Sequence, residues 1–145
     1  MDITANLDAP CPPDVMHAWI DDLSTYPQWL TIVPRADAVE AAAGDPGPAW
    51  SIDLRGKVGP LSRSKRLRMV RTSSDDRQVV FERREIDGQK HAAWVLRARL
   101  TPNDGGTNLA MDLHYSGGMW EPLVERLLRD EIDRSKARLL LLLLA

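Results

Sequence analysis

Glu131 is the residue whose position most invites a chemical role. It falls near the middle of an apolar stripe on the C-terminal segment, one turn from Leu127 and Leu128. A carboxylate in such a place must be paired, protonated or turned toward a wet cavity. Arg134 and Arg138 stand at i+3 and i+7, so two readings are open: a local Glu–Arg pair at the edge of the helix seat, or a polar group looking into a ligand cavity. The other reactive side chains form no recognisable constellation. His17, His91 and His114 lack an HxxxH spacing and Cys11 is the one cysteine, so no metal site is expected. Gly44-x-x-Gly47 and Gly105-Gly106 read as turns rather than phosphate loops, and no Ser-His-Asp order stands out. Ser62 and Ser64 alternate with basic residues and read as surface; His17 falls away from the apolar stripe of its helix and reads as solvated. No cofactor is implied.

The element that carries Glu131 runs from Met119 to Ala145. It contains no Gly, and its one Pro, Pro122, stands in the first turn, where a missing N–H costs little. At 100° per residue Trp120, Leu123, Val124, Leu127, Leu128, Ile132, Ser135, Leu139 and Leu142 share one side; Glu125, Arg126, Arg129, Asp130, Asp133 and Lys136 share the other. This predicts an amphipathic helix about 39 Å long at 1.5 Å per residue. It must lie along something large and apolar.

The rest of the chain supplies that partner as strands. Asp2 to Asp8 alternates apolar and polar residues. Pro10, Pro12 and Pro13 end that strand and open a helix from about Pro13 to Leu23, with Met16, Trp19, Ile20 and Leu23 inward. Tyr26 and Trp29 anchor a short helical piece that Pro34 closes. Strands are then expected over Ala36–Ala42, Trp50–Arg55, Leu61–Thr72, Arg77–Ile86, His91–Leu100 and Asn108–Tyr115. Asp45-Pro46-Gly47-Pro48, Asp87-Gly88 and Asp104-Gly105 punctuate them. Short connections between consecutive strands predict an antiparallel meander, and one-sided alternation predicts one covered face. The long helix is the only element able to roof it, and its last turns would leave Leu140 and Leu141 facing away from the sheet. The fold class is α+β, one domain over residues 1–145.

Composition narrows the function classes. Hydrophobic residues make up 43% and charged residues 28%, with a net charge of −2, so no global field draws in nucleic acid or an anionic membrane. One cysteine fits a reducing cytoplasm, and no signal-peptide pattern opens the chain. Leu139 to Leu144 is far short of the roughly 20 residues needed to span a bilayer. Its all-round apolarity is compatible with a monomer carrying a greasy end or with a homodimer. Arg63, Lys65, Arg66, Arg68 and Arg71, extended by Arg97 and Arg99, form a basic strand face. Ion pairs with Glu82, Glu85 and Asp112 across the sheet account for it; a ribosome or nucleic-acid stripe is the alternative.

Two stretches resemble a known family. Ala9-Pro10-Cys11-Pro12-Pro13-Asp14-Val15 opens the first helix, and Asp22-Leu23-Ser24-Thr25-Tyr26-Pro27-Gln28-Trp29-Leu30 is similar to a D-L-x-x-Y-P-x-W segment. Together with Tyr115-Ser116-Gly117-Gly118 before the last helix, they resemble the START-like, or SRPBCC, superfamily, in particular its polyketide cyclase/dehydrase-like branch of small bacterial proteins. The resemblance implies a helix-grip fold: a curved antiparallel sheet of about seven strands wrapped round a long C-terminal helix, with a cavity between them for an apolar small molecule. The family includes lipid carriers, hormone receptors, aromatase/cyclases, a quinone-chaperoning group and a toxin-like, ribosome-associated group.

With that fold implied, Trp29, Trp50, Leu54, Met69, Phe81, Trp94, Leu96, Met111, Leu113, Trp120, Leu127 and Glu131 are the expected ligand-contacting set. Five Trp against one Phe and two Tyr suit a roomy wall for a lipid-, quinone- or polyketide-like ligand. A cyclase or dehydratase would need an oriented chain and one or two acid–base groups; Glu131 and Tyr115 are the candidates. No short-spaced acid–base pair is present, so a binding protein is the leading reading.

Overall fold

The computed structural model describes residues 1–58, 60–117 and 121–144, with side chains for all of these except 57, 58, 61, 63, 121–124 and 127. β1 (Asp2–Ala9) leads into α1 (Pro13–Ile20) and a 3-10 helix (Leu23–Gln28). Six strands follow: β2 (Arg35–Val39), β3 (Ala49–Val58), β4 (Leu61–Ser74), β5 (Gln78–Arg83), β6 (Trp94–Asn103) and β7 (Gly106–Tyr115). α2 (Glu121–Leu143) comes last. The expected element order is the observed one.

The seven strands form an antiparallel sheet in the order β1-β7-β6-β5-β4-β3-β2. Each of the strands β2 to β6 pairs with its successor, as short connections require, and β1 lies along β7 from Asp2 opposite His114 to Ala9 opposite Thr107. α2 packs against both β1 and β3, which stand five places apart in that order. A flat sheet with about 4.8 Å per strand would hold them ~24 Å apart, twice the diameter of a helix. The sheet is therefore curled around α2, and a register shift between Arg71 and Ser73 in β4 marks one place where it bends. This is the helix-grip arrangement.

Several boundaries differ from the sequence expectation, each for a local reason. α1 stops at Ile20 because Asp22 turns to extended geometry and caps the next helix. The β6–β7 hairpin is tighter than expected: pairing runs to Asn103 opposite Gly106, and Gly105 at φ 86° supplies the left-handed turn residue. The β5–β6 connection is longer, and His91 lies in it. There Asp87 accepts a hydrogen bond from the Gln89 amide at 3.0 Å and pairs with His91 Nε2 at 2.8 Å. α2 comprises 23 residues, about 35 Å at 1.5 Å per residue.

The core lies between the concave sheet face, α1, the 3-10 helix and α2. α2 buries Leu128, Ser135, Leu139 and Leu143, with Ile132 half-buried on the same face. Leu140 does not face away as expected but packs against the core edge; Leu141 is 71% exposed. On the outer side of the sheet Arg99 donates to Asp112 at 2.9 Å, one of the expected cross-strand partners, whereas Arg66 donates at 2.9 Å to Asp53 of β3, which was not among them. Arg68 departs from that reading. It is buried, donating to Asp45 at 2.7 Å and to the carbonyl oxygens of Arg84 and Glu40. Among the described residues no helix is long and apolar enough to cross a membrane.

Candidate functional site: an apolar cavity beneath the C-terminal helix

The segment from Asp22 to Val33 forms one end of the site, and its residue types explain its shape. Asp22 Oδ1 accepts from the Ser24 amide at 2.9 Å and the Ser24 hydroxyl at 2.6 Å, an N-cap that starts the 3-10 helix. Thr25 Oγ1 donates to the carbonyl oxygens of Trp19 and Asp22. Tyr26 is fully buried and its hydroxyl donates to the Ile20 carbonyl at 2.8 Å. That burial, with the negative charge of Asp21, pushes the Tyr26 phenol far above its ordinary pKa, so it stays neutral. The Asp-Leu-x-x-Tyr-Pro-x-Trp pattern is thus a folding motif: a cap, two buried anchors, a proline in the helix, and an indole delivered to the interior.

That indole, Trp29, is one wall of a cavity of about 100 Å³. Of the residues expected from sequence, Trp29, Leu54, Met69, Trp94, Leu96, Met111 and Leu113 all line it. They come from the 3-10 segment, β3, β4, β6 and β7, and period-two alternation turns the strand residues to the concave face. The sheet adds Ile3, Leu7, Ile52 and Leu67, while Tyr26, Ile32 and Val33 close one end and Ile132, Ser135, Lys136 and Leu139 of α2 form the lid. Ile3 and Leu7 show the same alternation in sequence. What the sequence did not reveal is that curling brings β1 to the same cavity as β3.

Two expected wall residues stand elsewhere. Trp50 and Phe81 do not line the cavity; they belong to a packed aromatic group behind it. Phe81 meets Trp50 edge-on at 5.5 Å and Tyr26 at 6.1 Å. The Trp50 indole donates to Asp22 Oδ1 at 3.2 Å, linking this group to the 3-10 cap. Trp120 lies outside the described residues, as does the side chain of Leu127.

The two acid–base candidates also lie off the cavity wall. Glu131 Oε1 accepts from Arg134 at 2.8 Å, and Oε2 accepts from the Thr31 hydroxyl. This is the Glu–Arg pair at the edge of the helix seat, with an added tie to the loop before β2; Glu131 is not among the lining residues. Tyr115 stacks on Trp94 with ring centroids 4.4 Å apart and supports that wall from the side. Buried Cys11 has its thiol pKa raised, chiefly by desolvation, which leaves it protonated and unreactive. Among the described residues no three His, Cys, Asp or Glu side chains gather as a metal site would require. What the arrangement offers is an apolar enclosure with few polar atoms.

The fold is similar to that of solved structures from several sources. A Thermus thermophilus protein superposes with a TM-score of 0.73 at 14% identity, covering 99% of this chain and 97% of its own. A START superfamily protein from Mycobacterium smegmatis gives 0.71 at 14% identity, with 96% and 94% covered. One half of the di-domain ARO/CYC StfQ from the steffimycin biosynthetic pathway gives 0.63 at 12% identity, covering 94% of this chain and 49% of that one. No curated protein matches. The family model for polyketide cyclase/dehydrase and lipid transport proteins matches residues 1–140, and the chain belongs to that family.

Proposed function

We propose that this protein binds a small hydrophobic molecule, lipid-, quinone- or polyketide-like in chemistry, in the cavity between the curled sheet and α2, as a carrier or binding protein. The observation that carries this reading is the cavity itself: a pocket beneath α2 lined mostly by Leu, Ile, Val, Met and Trp side chains. At about 100 Å³ it is smaller than the roughly 300–1,000 Å³ of drug-sized ligand sites. A larger guest must displace the lid or the flexible Met69 and Met111 walls, and thioether side chains accommodate such changes readily. Family membership supports the same class of ligand.

Catalysis by a cyclase or dehydratase finds less support, because Glu131 is held by Thr31 and Arg134 rather than presented to the cavity. A ribosome-binding stripe finds less still, since Arg66 and Arg99 are paired across the sheet and Arg68 is buried. The test is organic extraction of the purified protein with mass spectrometry of the extract, alongside titration with fatty acids, quinones and flat aromatic ketones followed by tryptophan fluorescence. A co-purifying apolar compound, or saturable titration by one of these classes, is the expected result. An empty extract and no saturable response would overturn the reading.

A further inference from the structure

The residues Tyr115-Ser116-Gly117, at the end of β7, act on the strand beside them. Tyr115 is the cross-strand partner of Trp94, and their rings lie 4.4 Å apart at 31°. Ser116 holds the residue before Trp94 from both sides. Its amide donates to the Ala93 carbonyl at 3.1 Å, and its hydroxyl accepts from the Ala93 amide at 2.7 Å. The chain is thus pinned where Trp94 opens β6.

Gly117 completes the arrangement. A methyl group on its α-carbon would overlap the Tyr115 ring. Its φ is not among the positive ones, which belong to Gly44, Gly88 and Gly105, so backbone conformation does not call for glycine here. The space taken by the Tyr115 ring does. Tyr115 itself is half-buried and does not line the cavity, and its hydroxyl makes no hydrogen bond among the described residues. The ring is what this side chain contributes, and it rests where only a bare α-carbon leaves room. The indole it supports is 7% exposed and lines the cavity.

We propose that Tyr115 and Gly117 are positioning residues that hold Trp94 as a fixed wall and so limit the bulk of ligand the cavity takes at that end. This rests on the cavity-binding reading above and adds to it a determinant of ligand size. A guest that pushed Trp94 aside would forfeit its stack on Tyr115. Met69 and Met111, by contrast, are flexible thioether chains on the same wall.

The probes are naphthalene and N-phenyl-1-naphthylamine, which share a ring system and differ in bulk. Calorimetric titration compares their affinities in the native protein, Gly117→Ala, Tyr115→Leu, Tyr115→Phe and the Gly117→Ala/Tyr115→Leu double variant. In Gly117→Ala and in Tyr115→Leu the preference should shift toward the bulkier probe by about two- to tenfold, the usual worth of one aromatic pair. Tyr115→Phe keeps the ring and should behave as the native protein does. The double variant should shift no further than Tyr115→Leu alone, because the added methyl then has no ring to displace. Two unrelated packing losses would instead multiply. In ¹⁵N-labelled protein the Nε1–H resonance of Trp94 should move in both single variants while that of Trp50 stays. If both probes bind and their preference is the same in all five proteins, or the two single effects multiply in the double variant, the positioning inference falls while cavity binding stands. If neither probe binds the native protein, the inference and the reading beneath it fall together.

Discussion

The hydroxyl of Thr31 donates to Oε2 of Glu131, joining the loop that precedes β2 to the middle of α2. The Thr31 amide donates to Ser135 Oγ one turn further along. These bonds clasp the lid helix at a point where Ile32, Ile132, Ser135 and Leu139 all line the cavity. Loosening these contacts is therefore one way to widen the site for a ligand larger than its volume of about 100 Å³.

Thr31→Val removes the hydroxyl at nearly constant volume. It should cost about 1 kcal/mol of stability, the ordinary net worth of a partly exposed hydrogen bond, and accelerate uptake of an apolar fluorophore severalfold. Stopped-flow mixing with such a dye measures the second effect. An unchanged association rate would show that the lid moves elsewhere.

Trp50→Phe separates the packed aromatic group from the ligand wall. The variant loses the bond to Asp22 Oδ1 and should lose about 1–2 kcal/mol in urea unfolding. Its affinity for any cavity ligand should match that of the native protein, since Trp50 does not line the site. A large change in affinity would mean that the cavity extends into the Trp50–Phe81 region when occupied.

Leu139 is 1% exposed and lines the cavity from the lid. Leu139→Ala should destabilise the fold by about 2–4 kcal/mol, the range for a leucine truncated in a core that collapses only in part. It should also enlarge the void, so bulkier apolar ligands should gain affinity relative to small ones. Calorimetric titration with a graded series of ligands gives the comparison. Uniform weakening across the series would indicate that the site collapses instead of opening.

Asp22 makes stability depend on acid. Burial alone would raise its pKa, but hydrogen bonds from the Ser24 side chain and amide and from Trp50, with the charge of Arg71, hold it below the ordinary value of 3.8. Hydrogen bonding from Arg66 lowers Asp53 in the same way, and the Gln89 amide together with His91 lowers Asp87. A carboxylate whose pKa is depressed by folding stabilises the native state fully above its unfolded pKa, near 4, and ceases to as pH falls through the folded value. The thermal midpoint should therefore hold from neutrality to about pH 4 and fall steeply below it. In Asp22→Asn it should start lower and fall less steeply. A parallel acid profile in the two proteins would exclude Asp22 as a contributor.

Local periodicity made much of the architecture visible in advance. Ile3-Ala5-Leu7, Trp50-Ile52-Leu54 and Trp94-Leu96-Ala98-Leu100 announce strands with one covered face, because alternate side chains of an extended chain point the same way wherever the strand ends up. The stripe through Leu128, Ile132, Ser135 and Leu139 announces the helix that covers them for the same kind of reason. The Glu131–Arg134 pair was also within reach, since both partners lie on one helical face three residues apart. Thr31, the other partner of Glu131, was not, because a contact between residues so far apart in the chain leaves no mark on spacing.

The amino-acid sequence by itself therefore determined which side chains face inward, on most strands and on the helix. It did not determine which of them would meet at a void. Trp50 and Trp94 look alike in sequence, each in an alternating strand, yet one is locked to Asp22 among packed rings and the other walls the cavity with an unpartnered N–H. Only the curling of the sheet around α2, together with the seating of Tyr26 over Phe81, separates them. Alternation is a property of a few adjacent residues, whereas a cavity is what remains after distant elements have packed against one another as closely as their shapes allow.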